Sequence, residues 1–346
     1  MKKLICKILF PGVLTFSLAS CIEQIRVPVR TETPILVVDG TITNHAGPYQ
    51  VRLSQTGTFN LPSEAYDKLA VRGAAIQIEE KETGQIVHLV ETSGAGVYQT
   101  RDPDFVGKTG NTYVIQIKTR DGKTYRSDPE VMPASPPIKE LSANYTDNEG
   151  IVNDTPFGYN ISLETDDPAD QTNYYRWTAY SYIRRQSVGV LTFGGNYWYQ
   201  YCWTPVTEST VVIQSDVYSN GRPLREQVFR SPIYIVGKHF VEVTQYALTR
   251  EAYQFWRRFN EQRQRVGTIF DPLPSPIIGN VYNADNPNDR ALGYFTASGV
   301  STKRIIIPGD TLTQSHLDIE TRRFIAPGDC RRAFFRGMEE RPEGWE

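Results

Sequence analysis

Four cysteines, four histidines and three methionines are all that 346 residues offer in soft or imidazole ligands. His45, His88, His239 and His316 stand far from one another, no cysteine has a CxxC partner, and HExxH, GxSxG, the P-loop and GxGxxG are all missing. Zincin, nucleophile-elbow, phosphate-loop and dinucleotide chemistry therefore have no motif to stand on. Positive charge is not in excess either: 37 Lys and Arg face 39 Asp and Glu. That balance gives no footprint for nucleic acid. The longest apolar run, at 8–18, is broken by Pro11 and Gly12 and falls short of the roughly 20 residues that span a bilayer.

What the chain does have begins at its N-terminus. MKKLICKILFPGVLTFSLASC places Lys2, Lys3 and Lys7 before the apolar stretch and small residues before Cys21. Residues 1–20 read as an export signal and are left out of fold reasoning. Leu18-Ala19-Ser20-Cys21 resembles the lipobox of bacterial lipoproteins, in which cleavage precedes a cysteine that then carries lipid. The alternative is an ordinary secretory signal beside an unrelated cysteine. One acyl chain holds a protein reversibly, whereas two or three hold it durably, so the expected anchor at Cys21 attaches the chain without spanning the membrane. Cleavage removes three lysines and no acid, leaving 34 basic against 39 acidic side chains, a charge of about −5.

With Cys21 assigned to lipid, Cys202 and Cys330 form an even pair in an exported chain. Either they form a disulfide, closing a loop of roughly 130 residues worth about 5 kcal/mol in chain entropy, or they are two separate buried thiols.

The expected fold is mainly β. After a tether at 21–33, short alternating runs recur about every ten residues over 34–127. Ala74, Ile76 and Ile78 share one face against Gln77 and Glu79, and Tyr113, Ile115 and Ile117 oppose Gln116 and Lys118. This pattern predicts an N-terminal immunoglobulin-like or transthyretin-like β-sandwich. The proline-rich 128–137, DPEVMPASPP, reads as an extended linker. A larger β-rich domain follows at 138–346, with one amphipathic helix near 249–266. There Ala252, Phe255, Trp256 and Phe259 form a stripe opposite Arg257, Arg258 and Glu261, Thr249 caps the start and Gly267 ends it.

Two kinds of residue cluster compete for function. Asp166, Asp167 and Asp170, Asp285 and Asp289, and Asp147 with Glu149 sit among Asn, Pro and Gly, where Asp favours turns. Calcium, or a pair of catalytic carboxylates, is the alternative use of such oxygens. The other cluster is aromatic: eleven aromatic residues in the thirty of 174–203, ten of them in NYYRWTAYSYI and NYWYQYCW. As strands these two runs make a hairpin. Tyr197, Tyr199, Tyr201 and Trp203 then share one face, and Trp198, Gln200 and Cys202 the other. Tyr and Trp combine contact area with hydrogen-bonding tips, so the first face is the candidate for a partner or cargo. The competing reading makes it core.

In order, LASC, ILVVDGTITNHAGPYQVRLSQTG, VRGAAIQIEEKETG, LTREAYQFWRRFNEQ, PIIGNVYNADNP, ALGYFTAS and PGDCRR resemble a family of Bacteroidota envelope lipoproteins known as domain of unknown function 4249. One departure is that Cys330 stands alone in its DCR element. The resemblance implies a setting beside TonB-dependent outer-membrane transporters and supplies no catalytic residue. The resulting expectation is a non-enzymatic, cofactor-free accessory or cargo-binding subunit for such a transporter, with peptide or glycan as cargo. It is expected on the outer membrane, on the cell-surface side, although Ile22-Glu23-Gln24 brings one acid where surface-exported lipoproteins carry several. The alternatives are a structural, adhesion or envelope-assembly lipoprotein and, behind it, a carboxylate hydrolase.

Overall fold

The period-two pattern is realised through most of the chain. A computed structural model describes residues 33–57, 67–147, 155–188, 199–207, 211–234, 238–264, 276–309, 326–334, 336–342 and 345. Residues 1–32, with the expected signal, Cys21 and most of the tether, lie outside the described residues, as does Tyr197. The strands are β1 (Leu36–Thr43), β2 (Gln50–Gln55), β3 (Ala75–Glu80), β4 (Ile86–Glu91), β5 (Val97–Thr100), β6 (Thr112–Lys118), β7 (Thr124–Ser127) and β8 (Glu130–Val131). They continue as β9 (Ile138–Thr146), β10 (Gly158–Thr165), β11 (Tyr174–Val188), β12 (Tyr199–Thr207), β13 (Val212–Ser215), β14 (Leu224–Pro232) and β15 (His239–Ala247). After helix α1 (Arg250–Gln264) come β16 (Ile278–Asn283), β17 (Arg290–Ser298), β18 (Val300–Ile307) and β19 (Ala326–Pro327).

The first sheet runs β3-β4-β5-β2-β1-β17-β16-β7-β6, with β8 beyond on β6. Because β6 also pairs with β3, nine strands close a barrel-like ring. Val38, Ile42, Leu53, Ile78, Ile115, Ile117 and Phe295 fill it. A sandwich made from 34–127 alone, as the sequence predicts, leaves β1 and β7 as open edges; β17 and β16 bridge them. The β1–β17 pair is parallel, Val37 opposite Leu292 through Thr43 opposite Ser298, so its partners come from far apart in the chain. Two glycines permit this closure. Gly293 has φ +80°, and a Cβ on it would lie 2.0 Å from the Val38 carbonyl oxygen; one on Gly279 would lie 1.6 Å from the Gly293 oxygen.

The second unit packs a three-stranded sheet, β14-β10-β9, on a six-stranded one, β12-β11-β15-β18 with β13 and β19 also on β11. Ile161, Leu163, Val228 and Phe229 meet Tyr175, Trp177, Val241 and Val243 between the layers. Residues 128–137 are extended as expected, yet they are bound rather than free. Glu130 is buried, Gly299 N donates to Pro133 O, and Gln245 Nε2 donates to Pro136 O at 2.8 Å. β16 and β17, which come from within 138–346, belong to the barrel-like sheet.

Helix α1 begins where the sequence places it. Thr249 Oγ1 accepts from Ala252 N at 3.2 Å, and Glu251 sits in the first turn. Its buried stripe, Ala252 and Phe255, packs on Leu248 and on Tyr294 of β17, so the helix bridges barrel and second unit. Gly267 lies outside the described residues.

Candidate functional site

Strand alternation gives the six-stranded sheet an inner face toward the three-stranded sheet and an outer face away from it. On β11, Tyr175, Trp177 and Ala179 point inward, while Tyr174, Arg176, Thr178, Tyr180 and Tyr182 point outward. Register extends the outer rows: Arg176 opposes Tyr246, Thr178 opposes Thr244, Tyr180 opposes Glu242 and Tyr182 opposes Phe240. On β18 the rows end at Val300, Thr302, Arg304 and Ile306. Helix α1 covers one end of this face through Trp256 and Tyr253, whose ring lies 5.0 Å from Tyr174. At the other end Trp203, Trp345 and Met338 pack on Phe240, Tyr180 and Tyr182. Between these covers the face carries Thr178, Thr244, Thr302, the Glu242–Arg304 pair and Ile306, which is 40% exposed. Burial, with Glu242 beside it, pushes the Tyr180 hydroxyl up to about 12, so it serves as a neutral hydrogen-bonding tip.

The opening of the hairpin is read correctly in parity. Gln186 opposes Tyr201 and Arg184 opposes Trp203 on the outer face, while Arg185 opposes Cys202 on the inner. Their surroundings differ, however. Tyr201 is 49% exposed, with the Arg184 guanidinium 4.5 Å from its ring centre. Trp203 is 8% exposed, its ring 6.2 Å from that of Trp345 in an edge-to-face contact. Of the four residues expected as one strip, Tyr201 is open, Trp203 is covered by the chain's own tail, Tyr199 is placed in β12 by its backbone, and Tyr197 is outside the described residues. The reason is the terminal segment. Cys202 and Cys330 stand at disulfide distance, S–S 2.01 Å, and a one-turn helix at Cys330–Ala333 lies over the inner face. The chain then passes the edge of β12, where Trp203 and Met338 exchange backbone hydrogen bonds, and returns on the outer face with Trp345.

On the other side of α1, two cavities adjoin where barrel, helix start and second unit meet. One, of about 360 Å³, has Glu130, Asn280, Tyr294, Glu251 and Arg258 in its wall. The other, of about 630 Å³, lies against Met132, Pro133, Tyr174 and Arg250; both touch Val131 and Thr249. Glu130 accepts from Tyr294 Oη at 2.6 Å, Asn280 Nδ2 at 3.3 Å and Thr249 Oγ1 at 3.1 Å. Burial pushes its carboxyl up to about 7, against the lowering effect of the Tyr294 and Thr249 hydrogen bonds. The same burial, with Glu130 beside it, raises the Tyr294 hydroxyl.

Of the acidic clusters, the one at 285–289 closes a turn, while Asp167 holds residues distant in the chain. Asn283 Nδ2 donates to Asp289 Oδ2 at 3.0 Å, closing the loop between β16 and β17. Asp167 accepts from Tyr175 Oη at 2.7 Å and Gly221 N at 2.9 Å, and Asp216 accepts from Asn173 N at 2.9 Å. Burial, with Asp167 beside it, raises Asp216. Glu149 lies outside the described residues, and among the described residues no three His, Cys, Asp or Glu side chains gather as a metal site. His88 is exposed, whereas His239 is buried with Nδ1 2.9 Å from Ser231 Oγ; burial, with Arg184 nearby, pushes it down to about 3. Arg176, Tyr246, Tyr180, Tyr182 and Glu130 were not singled out by sequence reasoning. The parity of NYYRWTAYSYI carried a signal for the β11 residues; Glu130 carried none.

No curated protein matches the chain. The family described as Domain of unknown function (DUF4249) matches residues 22–304, most of its length, and the protein belongs to that family.

Proposed function

We propose that this is a lipid-anchored outer-membrane protein that serves a TonB-dependent transporter as an accessory or cargo-binding subunit. The observation that carries the reading is the outer face of the six-stranded sheet. Tyr180, Tyr182, Arg176 and Trp256 border a row of threonines, a surface suited to peptide or sugar, whose apolar faces stack on rings while hydroxyls take the polar edges. Support for the anchor is Leu18-Ala19-Ser20-Cys21; with lipid at Cys21, the barrel-like unit fills the spacer or docking role expected of an immunoglobulin- or transthyretin-like module. The transporter is proposed from the family setting. Affinity purification of a tagged copy from its native host, extracted in detergent, is expected to co-recover an outer-membrane β-barrel; repeated recovery of the bait alone overturns the reading. Cys21→Ala should release the protein from the membrane fraction.

The covered state of Trp203 favours a second reading, a structural or envelope-assembly lipoprotein whose aromatics serve its own fold. Tyr201→Ala and Trp203→Ala separate the two. In a binding subunit Tyr201→Ala weakens partner recovery at unchanged melting temperature, whereas in a structural protein both substitutions act on melting alone.

A further inference from the structure

Among the described residues, the Arg176 side chain on the outer face makes no hydrogen bond or ion pair. It lies at the helix-covered end of that face, with its Cζ 4.7 Å from the Tyr246 ring centre and 4.2 Å from that of Trp256. Its Nε is shut off from solvent and has no hydrogen-bond partner, and among the described residues no ion pair reaches the guanidinium. Burial pushes the guanidinium pKa down, against the raising effect of Tyr246 and of Asp39 of β1. Two rings offset part of the cost of desolvating this charge, yet they leave the buried Nε–H without an acceptor. Buried donors are ordinarily paired, so the arrangement is incomplete as it stands.

We propose that Arg176 is an anion-recognising residue at the helix-covered end of the outer face, and that it takes a carboxylate carried on an aromatic, peptidic or sugar group. The guanidinium fork matches a planar carboxylate in two parallel hydrogen bonds, and the Tyr246 and Trp256 rings supply stacking area for the group that bears it. A single guanidinium walled by rings suits one carboxylate; a phosphate draws several cations. Thr178 and Thr244 occupy the next outward row, where they can meet the polar remainder of the ligand. The inference rests on the outer face being a binding surface and is independent of a transporter.

Titration calorimetry on the full-length protein in detergent tests it with hippurate for a peptide-like source and glucuronate for a sugar source. Benzoylglycinamide is the uncharged control and inorganic phosphate the competing anion. Saturable binding of at least one carboxylate is expected, with the uncharged amide silent and Arg176→Lys weakening binding about tenfold or more through loss of the fork. The tighter of the two carboxylates identifies the source. A second measurement needs no variant fold: in the wild-type protein the Arg176 Nε–H resonance should shift saturably with the same ligand. Silence of both carboxylates, tighter binding of phosphate, or equal affinity in Arg176→Lys overturns the proposal. Carboxylate binding without a co-purifying barrel leaves this inference standing and removes the transporter reading; the converse result does the opposite.

Discussion

Two buried titratable residues give the protein opposite pH dependences. Glu130, held up to about 7 by burial between the barrel and the start of α1, binds its proton more tightly folded than unfolded. Its contribution is therefore full below the unfolded carboxyl value and is lost as pH rises through about 7, a change of about 3 kcal/mol. Glu130→Gln keeps an acceptor for Tyr294 but cannot ionise. It should melt above the wild type at pH 8 and close to it at pH 4.5; parallel melting curves across that range would show that Glu130 is not the linked group. His239 has the reverse sign. Neutral when folded and pushed down to about 3, it supports the fold fully above the ordinary histidine value of about 6.5 and loses that support as pH falls toward 3. In His239→Gln the loss of the Tyr159 ring contact and of fitted packing lowers stability at pH 8, but the deficit should shrink on acidification. Denaturant titrations at pH 8 and pH 4.5 check this, and a deficit that stays constant refutes it.

At the scale of elements, β12 needs cover, since it stands at one end of the sheet order β12-β11-β15-β18 and an unpaired edge invites aggregation. The terminal segment supplies that cover through the Cys202–Cys330 pair, the Met338 bridge and Trp345. Linking residues 128 positions apart restricts the unfolded chain by about 5 kcal/mol. Reduction, or Cys202→Ser, should lower the melting temperature and raise exposure of Trp203 and Trp345 to an aqueous quencher; unchanged quenching on reduction would mean that the tail is held by its rings alone. This element also shows what strand parity can and cannot convey. Alternation placed Tyr201 and Trp203 on one face and Cys202 on the other, as observed. Exposure on that face is decided by Trp345, more than a hundred residues away, and no local pattern in NYWYQYCW registers it.

At the scale of the molecule, the same limit governs the barrel. Individual strands were legible because a half-buried strand needs period-two alternation, and α1 was legible because Thr249, Glu251 and the Ala252–Phe255 spacing are local. Closure was not, because β16 and β17 enter from beyond α1 and pair with edges fixed more than 150 residues earlier. Their pairing depends on close backbone approach at Gly279 and Gly293, which glycine permits but does not announce. The outer face was legible in its aromatic content, while the ring-walled place of Arg176 required the helix to be placed over β11. A consequence follows for folding: residues 34–127 expressed alone have β1 and β7 as unpaired edges around the apolar set of Val38, Ile42 and Ile115. Such a fragment should aggregate or remain unfolded, since open edges with an uncovered apolar face are not stable in water. Adding a peptide covering 276–300 should restore cooperative melting, and the same peptide carrying Gly293→Ala should not, because its new Cβ meets the Val38 carbonyl. A fragment of 34–127 that melts cooperatively by itself would show that the barrel's first seven strands suffice, and that β16 and β17 dock on a finished sheet instead of completing it.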